Sequence, residues 1–92
     1  ETRTIEVSYP EPSLEVLQTA VGGYIELVMV RYNGRLCDAY INEEGKLEGL
    51  PVNRLATAYW ADAYRAVMLN DVLVGPVAIW ERDPQEKSDE EV

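Results

Sequence analysis

The sequence predicts one small α+β domain with the element order βαββαβ, arranged as a ferredoxin-like split βαβ sheet with both helices on one face. Its 92 residues leave room for a single hydrophobic core. Two stretches with helical spacing of apolar residues alternate with four β-prone runs. Asn33-Gly34 separates the second and third of those runs, which is the strongest short-range signal of a β-hairpin. We expect the domain to cover residues 1–83 and residues 84–92 to form an acidic flexible tail.

The spacing of apolar residues indicates the first strand and the first helix. Residues 4–9 alternate polar and apolar side chains, which is typical of a strand with one buried face. Residues 14–21 carry an apolar stripe at helical spacing. Ser13 stands where its hydroxyl can accept a hydrogen bond from a free backbone N–H at the helix start. Gly22 and Gly23 follow the last turn and end the helix.

The hairpin comprises residues 24–32 and about 35–42. Its two-residue loop places Tyr32 opposite Arg35 and so sets the register of the two strands. One face of the predicted hairpin is almost wholly apolar and comprises Val28, Val30, Cys37, Ala39 and Ile41. The other face is interrupted by polar residues, but it also carries five large apolar side chains, those of Ile25, Leu27, Met29, Leu36 and Tyr40.

The second helix and the last strand complete the element order. Residues 54–67 are rich in Ala, Leu, Tyr and Trp, and Asn53 precedes them as a helix N-cap. Residues 72–80 form an apolar run that predicts a strand. Gly75 and Pro76 within that run indicate a bulge or an edge position, because Pro cannot donate a hydrogen bond to a neighbouring strand.

Composition excludes or disfavours several classes of function. Seventeen acidic against eight basic residues give a net charge of -9, which disfavours binding to nucleic acids and to anionic membrane surfaces. The absence of His excludes His-based catalysis and most zinc sites. A single Cys excludes an intramolecular disulfide, and no apolar run is long enough to span a membrane. We therefore expect a cytoplasmic protein without a metal or another cofactor.

Cys37 is the one candidate nucleophile of the thiol type, and its position argues against catalysis. It lies in mid-strand on the apolar face, where burial raises the pKa of a thiol and makes it unreactive. No His is present to act as its base. No other constellation of spaced catalytic groups is visible, so we expect a protein that is not an enzyme.

The second hairpin face and the aromatic helix are candidate interaction surfaces. If no helix covers that face, it forms a contiguous apolar patch of the kind that marks interaction sites. The simplest interaction through this face is a homodimer. The alternative is that another part of the same chain buries the face. In the second helix, Tyr59 suits the core, whereas Trp60 and Tyr64 suit either the core or an interface. The predicted surface comprises Ile25, Leu27, Met29, Leu36, Tyr40, Trp60 and Tyr64.

The polar turn and the start of the second helix form a candidate ligand site. Asn42 and Glu43 would lie in the turn, with Asn53 and Arg54 at the helix start. Arg54 near a helix N-terminus suits an anion such as a metabolite or a nucleotide. Acidic residues crowd the same region and oppose an anion, and the turn is also explained by turn chemistry alone.

Three segments carry a resemblance to a known family. They are residues 17–26 (LQTAVGGYIE), residues 42–53 (NEEGKLEGLPVN) and residues 71–75 (DVLVG). Their order and spacing resemble the family known as domain of unknown function 3846, over roughly residues 4–79. The longer aromatic second helix, residues 58–68, departs from the pattern of that family.

The resemblance implies a small protein of phages, plasmids and bacteria, and it implies no activity. Together with the residue patterns, it leads to the hypothesis of a non-enzymatic phage or mobile-element protein that binds and modulates a host protein in the cytoplasm. The alternative is a protein that binds or sequesters a small anionic ligand.

Overall fold

The computed structural model describes residues 4–8, 11–63 and 71–81, which form a small α+β domain. The helices and strands are, in chain order, β1 (Thr4–Ser8), α1 (Leu14–Val21), β2 (Ile25–Tyr32), β3 (Arg35–Asn42), α2 (Arg54–Ala63) and β4 (Val77–Glu81). Among the described residues, neither helix has the length and apolarity needed to cross a membrane.

The four strands form one sheet in the order β1-β4-β3-β2. β2, β3 and β4 are antiparallel neighbours, whereas β1 pairs in parallel with β4. Asn33 and Gly34 both have positive φ, 53° and 77°, as the type I′ turn between β2 and β3 requires. Tyr32 therefore lies opposite Arg35, and the predicted hairpin register is confirmed along its whole length.

α1 packs on one face of this sheet. Ser13 caps the helix as predicted, since its hydroxyl accepts a hydrogen bond from Val16 N at 3.2 Å. At the other end, Gly22 N donates to Gln18 O at 2.8 Å and closes the last turn. The α1-side core is the cluster that the helix forms with the sheet, and it comprises Leu17, Val21, Tyr40, Ala78 and Trp80.

α2 packs on the opposite face. The α2-side core is the cluster on that face, and it comprises Val30, Cys37, Ala39, Ala56, Leu73, Val77 and Ile79. Side chains alternate between the two faces along each strand. Ala78 therefore belongs to the α1-side core while its neighbour Ile79 belongs to the α2-side core. The sheet thus separates two hydrophobic clusters.

The prediction that both helices cover one face is therefore wrong, and the ferredoxin-like arrangement is not confirmed. Both faces of the β2–β3 hairpin carry apolar side chains, for example Val30 on one face and Tyr40 on the other. A sheet with two apolar faces has to bury both of them. One helix on each face meets this requirement, whereas two helices on one face would leave Tyr40 in water.

β4 is shorter than predicted because the chain changes direction before it. Gly75 has a φ of 77° and is followed by Pro76, so the regular strand starts only at Val77. Upstream, Val74 makes only an isolated antiparallel bridge with Val52. The predicted end of the second helix, Tyr64 within it and the tail at residues 84–92 lie outside the described residues.

Candidate functional site

The first candidate site is an exposed apolar surface on the α1-side face of the hairpin. We call it the hairpin patch, and it consists of Leu27, Met29 and Leu36. Leu27 and Leu36 are each 55% exposed, and Met29 is half-buried. Met29 pairs with Asp38, so Leu36 is its diagonal neighbour across the hairpin, and Leu27 precedes it by two residues on the same face. The three side chains therefore form one contiguous surface.

The hairpin patch exists because α1 is too short to cover the whole face. Eight helical residues extend over only about 12 Å. This is less than half the length of either eight-residue strand of the hairpin. Tyr40 lies beneath the helix and is 9% exposed, while Ile25 is half-buried beside the same core. These two residues of the predicted surface therefore belong to the core and its margin, and they do not form an open surface.

The second candidate site is a cleft on the α2-side face, at the open end of the hairpin. It has a volume of about 230 Å³ and lies between the ends of β2 and β3, the loop after β3, α2 and the segment before β4. Val28, Ile41 and Leu73 supply an apolar lining, and Trp60 of α2 adds an aromatic ring. The lining also includes four charged residues, namely Glu26, Glu43, Lys46 and Asp71.

The charged side chains that line the cleft are mostly acidic. Lys46 Nζ donates a hydrogen bond to Asp71 Oδ1, and this contact, with the backbone N–H of Val72, lowers the pKa of the Asp71 carboxyl. Within the described residues, neither Glu26 nor Glu43 forms an ion pair. A bond from Glu43 N to Tyr24 O extends the hairpin pairing and makes the two glutamates diagonal neighbours on one face. The lining is thus acidic.

Asn42 lines the cleft, but its side chain holds the fold together. It is 5% exposed, and its Nδ2 donates to Val21 O at 3.3 Å and to Glu48 Oε1 at 3.2 Å. Its Oδ1 accepts a hydrogen bond from Glu44 N at 2.8 Å. The amide therefore joins the end of α1 to the loop after β3. All of its polar atoms already have partners.

Asn53 has a comparable role at the start of α2. Its Oδ1 accepts from Ala56 N at 3.0 Å, which confirms the predicted N-cap. Its Nδ2 donates to Gly75 O at 2.9 Å, and its backbone N donates to Leu73 O at 2.8 Å. Arg54, the next residue, is exposed and does not line the cleft. The four predicted ligand residues are therefore not brought together in one pocket.

The aromatic residues of α2 face the sheet. Tyr59 packs edge-to-face on Tyr32 with ring centroids 5.2 Å apart, which agrees with the core position expected for it. Trp60 is half-buried against the α2-side core and also lines the cleft. Trp60 is therefore remote from the hairpin patch, which lies on the opposite face of the sheet. Tyr64, predicted to share its surface, lies outside the described residues.

Cys37 is buried in the α2-side core, as the hairpin register predicts. Burial raises the pKa of its thiol, and the nearby carboxylate of Glu81 raises it further. Both effects favour the protonated, unreactive form. Among the described residues, no group of three or more His, Cys, Asp or Glu side chains is placed to hold a metal ion.

Sequence reasoning missed most of the residues that build the cleft. Glu26 belongs to β2, Lys46 to the loop after β3 and Asp71 to the segment before β4, so they come together only through the tertiary fold. No local motif connects them. The alternation of β2 and β3 was the available signal, since it places Glu26 on the same face as Val28 and Ile41.

Comparison with known proteins places the chain in a family. No curated protein and no solved structure matches it. The family model described as "Domain of unknown function (DUF3846)" matches residues 1–91, which is almost the whole of the 92-residue sequence. The match covers both candidate sites and every helix and strand of the structure. The chain therefore belongs to the DUF3846 family.

Proposed function

We propose that this chain is a non-enzymatic protein of a phage or another mobile element that binds and modulates a host protein in the host cytoplasm. The observation that carries the proposal is the hairpin patch. Leu27 and Leu36 are each 55% exposed beside Met29, on the part of the sheet that α1 leaves uncovered. Contiguous apolar surface exposed on a soluble domain usually marks a binding site for another macromolecule.

The surroundings of the patch support a protein partner over a small ligand. Leu27, Met29 and Leu36 lie on strands, and they line neither the cleft nor the cavity beside Gln18 and Gly23. Exposed Arg31 and half-buried Asp38 border them on the same face. An apolar centre with a polar rim is the usual anatomy of a protein–protein interface.

Affinity capture from a host-type bacterial lysate tests this proposal. The tagged protein should retain one dominant host protein, and Leu36→Asp should remove it because a carboxylate then stands in the apolar centre. Leu47→Asp is the matched control, since Leu47 is 87% exposed and lies outside the patch. Equal capture by the wild type and both variants would refute the hairpin patch as the binding surface.

The cleft supports a second candidate function, the binding of a small ligand. Its volume of about 230 Å³ is below the roughly 300–1,000 Å³ of pockets for drug-sized ligands, so it can hold only a smaller molecule, for which the Trp60 ring offers an aromatic contact. The carboxylates of Glu26 and Glu43, which form no ion pair with any residue that the structure describes, favour a cationic group and oppose the anionic metabolite or nucleotide expected from the sequence. A cation over the Trp60 ring would gain further attraction.

Titration with arginine and with spermidine, followed by tryptophan fluorescence, tests the cleft. Binding should alter the emission, and Glu26→Gln combined with Glu43→Gln should weaken it by about tenfold or more. Trp60→Phe should remove most of the signal, because the other tryptophan, Trp80, lies in the α1-side core. ATP is the control ligand of opposite charge. Preferential binding of ATP would overturn the preference for a cation.

A further inference from the structure

β2 is an edge strand that presents a regular row of backbone groups to one side. In the sheet of the described residues its one neighbour is β3. It is eight residues long, it pairs without a bulge from Ile25 to Tyr32, and it contains no Pro. Natural edge strands are usually protected by shortness, bulges, Pro or inward-pointing charges. β2 has none of the first three protections.

The hairpin register shows which backbone groups of β2 point outward. Tyr32 and Arg35 are the first and last residues of the turn, and they form a hydrogen-bonded pair. Hydrogen-bonded and non-hydrogen-bonded pairs alternate along an antiparallel hairpin. The even-numbered residues of β2 therefore bond to β3, and the odd-numbered ones direct their N–H and C=O groups away from it. These outward residues are Ile25, Leu27, Met29 and Arg31.

We infer that a second copy of this chain pairs with this edge, β2 against β2, antiparallel and centred on Val28. In this register Leu27 lies opposite Met29 of the second copy, and Ile25 lies opposite its Arg31. All four outward residues of each strand then form backbone hydrogen bonds. The two four-stranded sheets join into one.

The charges along β2 favour a second copy as the occupant. The chain carries a net charge of -9, but β2 contains one acidic and one basic residue, Glu26 and Arg31. Its edge is therefore locally neutral. Centring on Val28 places Glu26 opposite Val30 and Arg31 opposite Ile25 of the second copy, so no like charges face each other.

Aromatic side chains add to this complementarity at both ends of the pair. Tyr24 immediately precedes β2 and is 69% exposed. The same register brings it opposite Tyr32 of the second copy. Cross-strand aromatic pairs stabilise antiparallel neighbours. Because the dimer is two-fold symmetric, this contact occurs twice.

Pairing would also double the surface on which the proposed function rests. Leu27 and Met29 of each copy would become adjacent to their counterparts, so two hairpin patches would merge into one. The dimer itself does not depend on a host protein. Its existence can therefore be tested on the purified chain, separately from the proposed function.

Sedimentation velocity of the full chain at increasing concentration is the first test. A shift from monomer to dimer is expected. Met29→Pro should weaken the dimer by about tenfold or more, because it removes an outward N–H while leaving the bonds to β3 in place. Leu36→Asp is the matched control, since β3 is not at the edge. It should leave the dimer intact while abolishing capture of a host protein.

Disulfide trapping tests the register in a Cys37→Ala background, which contains no other thiol. Val28→Cys places its two copies directly opposite, at a Cα separation of about 4.5 Å, within disulfide range. Met29→Cys places them about 8 Å apart, which is too far to bridge. Air oxidation with a copper–phenanthroline catalyst should link the first variant and spare the second.

Three results would overturn the inference. They are a wild-type chain that stays monomeric at every concentration, a dimer that Met29→Pro leaves unchanged, and equal cross-linking of the two cysteine variants. Circular dichroism of each variant shows whether it has kept its fold. Loss of host-protein capture by Leu36→Asp in a protein that is always monomeric would support the hairpin patch and refute strand pairing.

Discussion

Asn42 donates a side-chain hydrogen bond to the carbonyl oxygen of Val21, with Nδ2 and O 3.3 Å apart. The bond connects the last residue of β3 to the last residue of α1, which are 21 positions apart in the chain. Because a buried carbonyl without a partner is costly, this contact helps to hold α1 on its face of the sheet.

Replacing Asn42 with Ala should destabilise the domain by about 2 kcal/mol or more, because Val21 O and Glu44 N both lose their buried side-chain partner. Urea unfolding followed by circular dichroism measures the change. Glu48→Ala is the control, since it removes one exposed acceptor of the same amide and should cost less than about 1 kcal/mol. Equal stability of both variants would contradict a structural role for Asn42.

Asn53→Ala should cost about 2 kcal/mol, because it removes the N-cap of α2 and leaves Gly75 O without its side-chain donor. Asn53→Ser is the informative comparison. Serine keeps an oxygen that can cap Ala56 N but is too short to reach Gly75 O, so its loss of stability should be about half as large. Thermal unfolding distinguishes the three proteins. A serine variant as unstable as the alanine variant would show that the contact to Gly75 dominates.

Gly75→Ala should destabilise the domain for two separable reasons. The φ of 77° costs a residue with a Cβ about 1 kcal/mol, and that Cβ would lie 2.7 Å from Leu50 Cδ1. Combining it with Leu50→Ala removes the clash but keeps the backbone strain. A double-mutant cycle in urea should therefore show that Gly75→Ala costs less in the Leu50→Ala background. Strict additivity of the two changes would indicate that Leu50 moves aside freely.

The Cys37 thiol makes stability depend on alkaline pH. Its pKa is raised in the folded state, so unfolding releases a proton once the pH exceeds the ordinary thiol pKa of about 8.5. The contribution of the thiol to the free energy of unfolding is fully present below that pH. It is lost as the pH rises through the pKa of the thiol in the folded state. The difference in unfolding free energy between the wild type and Cys37→Ala should shrink above about pH 8.5. A difference independent of pH would contradict the raised pKa.

Reaction of Cys37 with a disulfide reagent gives a second measure of the same burial. The thiol is 6% exposed, so modification of the native protein should be slow and limited by opening of the α2-side core. In urea the single thiol should react at once. Rapid reaction of the native protein would show that the core around Cys37 opens readily.

Local signals in the sequence were sufficient for α1 and for the hairpin. Ser13 and Gly22 gave the bounds of α1, and Asn33-Gly34 gave the register of β2 and β3, because caps and two-residue turns depend on residues close in sequence. The start of β4 was misplaced since the positive φ of Gly75 interrupts an apolar run that otherwise resembles a strand.

Placement of the helices could not be predicted from local signals. An apolar stripe shows that α1 buries one side, but it does not show which sheet face receives it, and Tyr40 was therefore expected to be exposed. The ion pair of Lys46 and Asp71 joins segments 25 positions apart, and the pattern of neither segment indicates the other. The exposure expected for Leu27 and Leu36 agrees with the structure, because the short helix does not reach them.

The sheet separates the two cores, and this arrangement has a consequence for amide hydrogen exchange. Ala39 and Ile79 pair directly across β3 and β4, and both are fully buried. Removing either helix would expose one face of these strands while the other face stayed covered. Their amides should therefore exchange with solvent deuterium only when both helices detach together. The slowest-exchanging hydrogens of the chain should lie in β3 and β4, and their rates should report the free energy of complete unfolding.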